Sequence, residues 1–294
     1  MPGSTKVSSL LFRLRDNLFI LFVLIPALLY LFAFFVLVFS YLFSQSFSSG
    51  LPFLALWKDP EFKKALVRTF WFVGLGTPLQ LLAGLVLALL VYRSFKGVGI
   101  IRSIYMLPIA IPALVTAITL NILFSYPFGH INDLFLGRHF FFPRLMETPI
   151  NWGGSEFLSL MLALLGKVWR DMPISMLIIL AGLQGIEQEE YEAAQTLGAS
   201  SWQQFKYITL PLLTPAIMTV LVLRSIECWK EFIFPFVIAP SYPILGVLIE
   251  RLYHAEQNPQ AGAAVALFLV FLIAMTAVVF TSGAKLVRQR LIRI

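Results

Sequence analysis

Charged residues are scarce in this 294-residue sequence. Only 13% of its residues are Asp, Glu, Lys or Arg, whereas 59% are hydrophobic and the mean hydropathy is +0.85. A water-soluble domain carries about 25% charged residues to cover its surface. The shortage excludes an ordinary soluble protein and indicates an integral membrane protein. Its long apolar runs favour a helical bundle, because the strands of a membrane barrel would give short alternating segments.

Cysteines and nucleotide-binding motifs are also nearly absent. The single cysteine, Cys228, excludes a disulfide framework within the chain, and we expect it to be a small buried apolar residue. No G-x-x-x-x-G-K-[ST] loop occurs, so any ATP must be hydrolysed by another polypeptide. His130 and His139 share one loop but lack a carboxylate–histidine spacing, and we expect no metal site. No nucleophile motif or cofactor loop suggests a membrane enzyme.

Six apolar segments are each near or above the roughly 20 residues needed to cross a bilayer. They cover residues 18–43, 70–92, 103–124, 157–183, 211–237 and 261–284. The first is longer than the apolar part of a signal peptide, about 7–15 residues, so we expect it to remain as a span. Breaks are expected in the second span at Gly74, Gly76 and Pro78, and in the third at Pro108 and Pro112.

The distribution of basic residues predicts the orientation of these spans. The net charge of +7 could suit nucleic acid, but the basic residues gather at the ends of apolar segments, so we expect no nucleic-acid partner. One side carries Lys6, Arg13, Arg15, Arg93, Lys96, Arg102, Lys206, Lys285, Arg288, Arg290 and Arg293. The other carries Lys58, Lys63, Lys64, Arg68, Arg138, Arg144 and Arg251, over longer loops. The side with more basic residues should be cytoplasmic, and it should hold both termini and the 184–210 segment. The chain would thus consist of a cytoplasmic N-terminal segment, residues 1–17, and a six-span domain, residues 18–294.

The 184–210 segment is a polar island between two spans. Good helix formers and early acidic residues predict a helix over residues 187–197, which Gly198 would end. Ser200 and Ser201 can cap a second short helix over residues 202–207, before Pro211 opens the fifth span. An anionic inner leaflet would repel the acidic residues of this segment, which favours a protein partner over the lipid surface. Those residues are Glu187, Glu189, Glu190 and Glu192.

Residues 192–211, EAAQTLGASSWQQFKYITLP, resemble the EAA loop of ABC-importer permease subunits. The matching positions are Glu192, Ala193, Ala194, Gly198, Ile208, Leu210 and Pro211. The resemblance implies an all-α type I ABC importer fold of six transmembrane helices, in the inner membrane of a prokaryote. It also implies four partners: membrane lipid, a second homologous permease subunit, a dimeric ATPase that uses ATP and Mg²⁺, and an extracytoplasmic solute-binding protein. This chain itself would hold no cofactor.

Charged residues also occur inside two predicted spans. In the fourth span, Lys167 and Asp171 are four residues apart and can pair, while Pro173 should kink or unwind the helix. Broken helices near the membrane midplane often form transporter binding sites. Trp169 could stack on a sugar, and Arg170 and Asp171 could bind its hydroxyl groups. Alternatively, Lys167 and Asp171 form an internal pair that faces the partner subunit without touching a ligand.

The fifth span carries a second charged cluster, Arg224, Glu227, Lys230 and Glu231. Spacings of three and four predict that Arg224 pairs with Glu227, and that Glu227 also neighbours Lys230 and Glu231. Purely structural pairing is one interpretation of this cluster. The other places Glu227 and Glu231 on the substrate path, beside Lys167, Trp169, Arg170 and Asp171.

Several further motifs are similar to those of maltose-type carbohydrate permeases. They are DPEFKKALVRTFWF, LPIAIP at 107–112, PFGHIN at 127–132, VWRDMP, and AGLQGIEQEEYEAA at 181–194. The resemblance implies import of a sugar or oligosaccharide. An alternative is a polyamine or oxyanion permease, because Leu197-Gly198-Ala199 replaces the Asp-Gly-Ala of most sugar permeases. A third class is an ion-coupled secondary carrier, in which Asp171 and Glu227 would carry protons.

Overall fold

The computed structural model describes residues 4–47, 52–93, 95–138 and 142–291, with side chains in 22–47, 55–93, 95–138 and 142–283. These residues form helices joined by turns, and no β-strand occurs among them. The helices are α1 (Ser4–Phe47), α2 (Pro52–Lys58), α3 (Pro60–Tyr92), α4 (Val98–Ala110), α5 (Ala113–Leu123), α6 (His130–Phe135), α7 (Glu156–Gln184), α8 (Gln188–Thr196), α9 (Ser201–Gln204), α10 (Leu210–Trp229), α11 (Ile233–Ile238), α12 (Leu245–Glu250) and α13 (Pro259–Leu291). Wider π-helical turns occupy Phe205–Thr209 and Arg251–Ala255.

Some sequence predictions concern positions outside this description. His139 and Arg293 lie outside the described residues, as do the side chains of the other basic residues near the two termini. The backbone of α1 is continuous from Ser4, so the predicted boundary between residues 17 and 18 falls inside a helix.

Four helical stretches of the described chain are long and apolar enough to cross a membrane: Phe22–Phe47, Pro60–Tyr92, Ser201–Ile238 and Pro259–Gly283. They coincide with the predicted first, second, fifth and sixth spans. The bent pair α4 and α5 meets the same standard as one unit, at the predicted third span. The predicted fourth span coincides with α7, whose 29 residues reach about 44 Å but include Lys167, Arg170 and Asp171. The all-α membrane fold class is confirmed. The charged residues within α7 distinguish this helix from the other predicted spans.

The second span begins earlier than predicted and is not broken. The Asp59 carboxylate accepts a hydrogen bond from the N–H of Glu61 (2.8 Å), so α3 starts at Pro60 rather than at residue 70. Pro78 lies inside this continuous helix. The predicted break was wrong because α3 is held by close packing against α7. A Cβ atom added to Gly84 would lie 2.4 Å from the Cβ of Ser175.

The third span is broken, as the sequence predicts, but only at the second of its two prolines. Pro108 lies within α4, whereas α4 and α5 meet at 89° across Ile111 and Pro112. The backbone of Ile111 is extended (φ −85°, ψ 130°), the conformation that a following proline favours. At this corner the carbonyl of Pro108 accepts from the N–H of Ile111 (3.4 Å), and the carbonyl of Pro112 accepts from the N–H of Thr116 (3.1 Å) in α5.

The helices α3, α7, α10 and α13 surround the interior of the bundle. Large side chains fill this interior, among them Phe62, Phe72, Leu164, Met176, Ile179, Leu213, Trp229 and Leu248. Cys228 is completely buried there, as expected. Its sulfur also accepts a hydrogen bond from the Gln80 amide (3.2 Å), so the apolar core contains a polar contact.

A polar clamp holds the end of the bundle that lies opposite the 184–210 segment. The Arg68 guanidinium donates to the Glu156 carboxylate (2.8 Å) and lies over the ring of Tyr242 (5.4 Å from its centroid). The hydroxyl of Thr69 accepts from the N–H of Leu245 (2.9 Å). The hydrogen bond from Arg68 lowers the pKa of the Glu156 carboxyl, which lies just before the predicted fourth span. The clamp connects α3 to the start of α7 and to α12.

Candidate functional site

The 184–210 segment forms the two-helix structure that its sequence predicts. The first helix, α8, ends in a turn where Gly198 has φ +80°, a conformation that side chains disfavour. The N–H of Ala199 donates to the carbonyl of Ala194 (3.0 Å), and the N–H of Gly198 donates to that of Gln195 (2.9 Å). These two bonds are the Schellman pattern that ends many helices. The predicted role of Gly198 in helix termination is confirmed.

The second helix is shorter than predicted and does not end before the fifth span. The Ser200 hydroxyl accepts from the N–H of Gln203, whose side chain accepts from the N–H of Ser200. Helical backbone then continues through Phe205–Thr209 into α10, so Pro211 does not open a separate helix. Here the N–H of Leu210 reaches back to the carbonyl of Phe205, and this wider turn lets the chain pass a proline that has no N–H.

The outer surface of this loop is exposed and partly apolar. No residue of α8 is buried; Glu192 and Ala193 are exposed and Ala194 is half-buried. Leu197 is 88% exposed at the tip, although it is a large hydrophobic residue. A shallow groove of about 330 Å³ runs beside it, lined by Ala194, Leu197, Gly198, Ala199, Gln203, Gln204, Tyr207 and Ile208. Leu210 is also exposed and Pro211 is half-buried. The outer surface of the loop thus combines a large exposed apolar side chain with a partly polar groove.

One contact connects this loop firmly to the transmembrane region. The Tyr191 hydroxyl of α8 hydrogen-bonds the Thr209 hydroxyl (3.0 Å), and Thr209 is buried just before α10 begins. Tyr191 also packs against the apolar core between α7 and α10. These two contacts join α8 to the start of α10 and to the apolar core beside α7.

The second candidate site is a buried charge cluster in which residues from the two predicted clusters meet. The Lys167 ammonium, only 3% exposed, lies 2.8 Å from the Asp171 carboxylate and 2.6 Å from that of Glu231. The predicted pair of Lys167 and Asp171 is confirmed. The contact with Glu231 joins the middle of α7 to the break between α10 and α11. There the Glu231 carboxylate also accepts from the N–H of Phe234 (3.1 Å).

Two arginines border the Asp171 carboxylate. A guanidinium nitrogen of Arg170 donates to Asp171 Oδ1 (2.7 Å), and Arg170 Nε donates to the carbonyl of Ile111 (3.4 Å) at the corner of the bent span. Arg224 approaches Asp171 Oδ2 at 4.0 Å. The cluster therefore connects α7, α10 and the break between α4 and α5.

The other two predicted path residues lie apart from this cluster. Glu227 pairs with the exposed Lys230 (2.9 Å), as predicted, but Arg224 approaches Asp171 (4.0 Å, without a hydrogen bond) instead of pairing with Glu227. The sequence prediction missed this approach because spacing along one helix cannot reveal a carboxylate on another. Gln80, completely buried beside Cys228, was also missed. The sequence signal for Gln80 was a single amide side chain within an otherwise apolar run.

Trp169 faces an apolar cleft and not the charges. The cleft has a volume of about 340 Å³ and is lined by Leu120, Phe124, Trp152, Leu158, Met161, Leu162, Leu165, Gly166 and Trp169. Buried Asn132 shapes its wall by accepting a hydrogen bond from the Trp152 indole (3.2 Å). Trp169 and Asp171 therefore line two different surfaces of α7. Among the described residues, no group of three or more His, Cys, Asp or Glu side chains could hold a metal ion.

The family model "Binding-protein-dependent transport system inner membrane component" matches residues 80–293 of this chain. The chain belongs to this family. The permease is 33% identical over 183 residues to the trehalose/maltose transport system permease protein MalF of Thermococcus litoralis. The matched region covers 62% of this chain and 60% of that protein. It is 32% identical over 243 residues to the sulfoquinovosyl glycerol transport system permease protein SmoG of Agrobacterium fabrum, which covers 78% of this chain and 77% of that protein.

Solved structures support the same fold. A bacterial ABC transporter involved in the import of the acidic polysaccharide alginate superposes with a TM-score of 0.78 at 20% identity, covering 93% of this chain and 98% of that chain. The protein is thus a multi-pass membrane permease subunit of an ABC importer, and its family is a transport family rather than a catalytic one. The predicted membership in the ABC importer permeases is confirmed.

Proposed function

We propose that the permease imports a sugar or oligosaccharide and is driven by a separate dimeric ATPase that docks on α8 and the groove beside it. The exposed, partly apolar surface around Leu197 is the observation that carries this proposal. The chain has no G-x-x-x-x-G-K-[ST] phosphate-binding loop, so the partner ATPase would bind Mg²⁺ and hydrolyse ATP. The contact between Tyr191 and Thr209 would pass the movement of the ATPase to α7 and α10.

The names of the relatives support a sugar solute. MalF is described as a trehalose/maltose permease, SmoG as a sulfoquinovosyl glycerol permease, and the structural neighbour imports alginate. A related structure is in complex with an alginate pentasaccharide-bound periplasmic protein, which supports a solute-binding protein as partner here. A second homologous permease subunit and the surrounding lipid would complete the assembly. The distribution of basic residues supports a cytoplasmic position for both termini and for residues 184–210 (the α8 loop) in a prokaryotic cell.

The substrate path would pass the buried charge cluster and the cleft beside Trp169. The cluster lies beside two helix breaks, one between α4 and α5 and one between α10 and α11, and broken helices are a typical position for transporter binding sites. Its members nearest these breaks are Lys167, Arg170, Asp171 and Glu231. Trp169 offers a half-exposed ring for stacking on a sugar. We expect Trp169→Ala to weaken uptake more than assembly; unchanged uptake kinetics would remove Trp169 from the path. Glu227, on the partly exposed side of α10, stays a candidate contact.

The docking role can be tested in the complete importer with two matched pairs of variants. Glu192→Lys and Gly198→Asp should abolish ATP-driven uptake while the chain still inserts. Glu147→Lys and Gly153→Asp are the controls, because they make the same changes at exposed positions near the opposite end of the bundle; Gly153 has open space around it. ATP-driven uptake by both α8-loop variants at the level of the controls would refute docking at this loop. Uptake that persists without ATP but collapses with the proton gradient would instead indicate a secondary carrier.

A further inference from the structure

The acidic side chains of the charge cluster are already occupied. Asp171 receives Lys167 on one carboxylate oxygen and Arg170 on the other. Glu231 receives Lys167 on one oxygen and the N–H of Phe234 on the other. Within the described central region, no carboxylate of this cluster therefore stands ready to bind a cationic solute such as a polyamine.

Arg224 is in the opposite situation. Its side chain is only 5% exposed, its nearest carboxylate oxygen is 4.0 Å away, and it makes no hydrogen bond with any described residue. Its Nε–H is completely buried without an acceptor. A buried guanidinium without hydrogen bonds is strongly destabilising, because it has lost water and gained too little in exchange. A ligand that restores those bonds would therefore be bound strongly.

Positive charge is also in excess around this position. The charged residues in the middle of α7 and from α10 to the start of α11 are Lys167, Arg170, Asp171, Arg224, Glu227, Lys230 and Glu231, four basic and three acidic. The helices packed against them add no charge of either sign over residues 70–92, 113–123 and 259–283. The buried residues Lys167, Arg224, Asp171 and Glu231 balance in charge, so the excess positive charge of the described cluster comes from Arg170, which is partly exposed.

We propose that Arg224 binds a carboxylate or sulfonate group of the transported solute, so that the solute is an acidic rather than a neutral sugar. This inference rests on the sugar-import function proposed above. A guanidinium presents its donors as a planar fork that matches such an anion on two oxygens. Arg170 is partly exposed and lies on the other side of Asp171, beside the corner between α4 and α5, so it adds a second guanidinium to the same site. A permanent acidic partner on the second permease subunit is the competing explanation.

The test uses the complete importer in liposomes with sugars that differ only in charge. The probes are maltose and cellobiose, their counterparts with one C6 hydroxymethyl group replaced by a carboxylate, and inorganic sulfate. We expect ATP-driven uptake to favour the acidic disaccharides. Arg224→Gln should raise their KM at least about tenfold, as expected for loss of a charged hydrogen bond, and change that of any transported neutral sugar less than about twofold. Arg224→Lys should restore part of the loss. Arg138→Gln, which removes an exposed cation from the outer loop, is the control.

Each remaining outcome contradicts the proposal or its basis. A preference for the neutral sugars, or an equal loss of both kinds with Arg224→Gln, would overturn the anion site and leave sugar import intact; the equal loss would point to an acidic group on the second subunit. Arg224-dependent uptake of sulfate without uptake of any sugar would overturn the sugar function and leave the anion site. ATP-driven uptake of none of the probes would count against both.

Discussion

The α8 loop and the buried charge cluster differ in how their residues come together. The loop is built from neighbours in the sequence: Ala194, Ser200 and Gln203 cap turns within a few residues of themselves. The cluster is built across the chain, and Lys167 and Glu231 are 64 positions apart but 2.6 Å from one another. The loop is largely exposed and its hydrogen bonds are local, whereas Lys167, Asp171, Arg224 and Glu231 of the cluster are buried charges. The two regions should therefore respond very differently to substitution.

The largest effect is expected at the centre of the cluster. Lys167→Met should destabilise the permease by about 3–5 kcal/mol, because it leaves the buried Glu231 carboxylate without a counter-ion. Thermal unfolding of the purified complex would measure this. Lys230→Met is the matched control, since Lys230 is exposed and should cost less than about 1 kcal/mol. If the Lys167 contact carries the effect, adding Glu231→Gln to Lys167→Met should recover most of the loss.

A smaller effect is expected at the turn of the loop. Gly198→Ala should destabilise the turn by about 1–2 kcal/mol, because φ +80° brings a Cβ too close to the backbone. Amide hydrogen exchange at residues 197–199 should become faster while the transmembrane region is unchanged. Gly153→Ala, in open space outside that backbone region, should behave like the unmodified chain. Unaltered exchange in Gly198→Ala would mean that the turn tolerates a side chain.

The cap of the second helix should show a similar or smaller response. Ser200→Ala removes the acceptor for the N–H of Gln203 and should weaken the start of α9 by about 1 kcal/mol. Exchange of the Gln203 amide hydrogen measures the effect locally. Ser201→Ala is the control, because Ser201 is the exposed first residue of α9 and the cap is formed by Ser200. Equal rates in the two variants would contradict the capping role.

The smallest effect concerns pH at the clamp opposite the loop. Arg68 lowers the pKa of Glu156, so this pair stabilises the folded permease above the carboxyl group's ordinary pKa, and the contribution disappears as the pH falls through the lowered value. Because Glu156 is half exposed, solvent screening should keep the contribution below about 1 kcal/mol. Comparison of unfolding with and without Glu156→Gln at pH 7 and in acid should show a difference that shrinks on acidification. A constant difference would contradict it.

The success of the sequence predictions follows this same division. Gly198 as a helix end, Ser200 as a cap and Pro112 as a break depend on neighbouring residues, and all three are confirmed. Pro78 and Pro211 obey the same local rules but do not interrupt their helices, because packing against α7 and a π turn accommodate them. A proline favours a kink or a helix end, but the packing around the helix and the geometry of its turns can keep the helix continuous.

What the sequence alone determined is the class of the molecule: a helical membrane protein, with an amphipathic loop whose turns follow from backbone preferences and short-range hydrogen bonds. Only the tertiary structure decided which charges meet between different helices. It brings Glu231 to Lys167, leaves Arg224 without a hydrogen bond to any residue that the structure describes, and turns Trp169 away from Asp171. The physical reason is that Coulomb attraction and burial depend on distance in space, and helix packing sets that distance independently of separation along the chain.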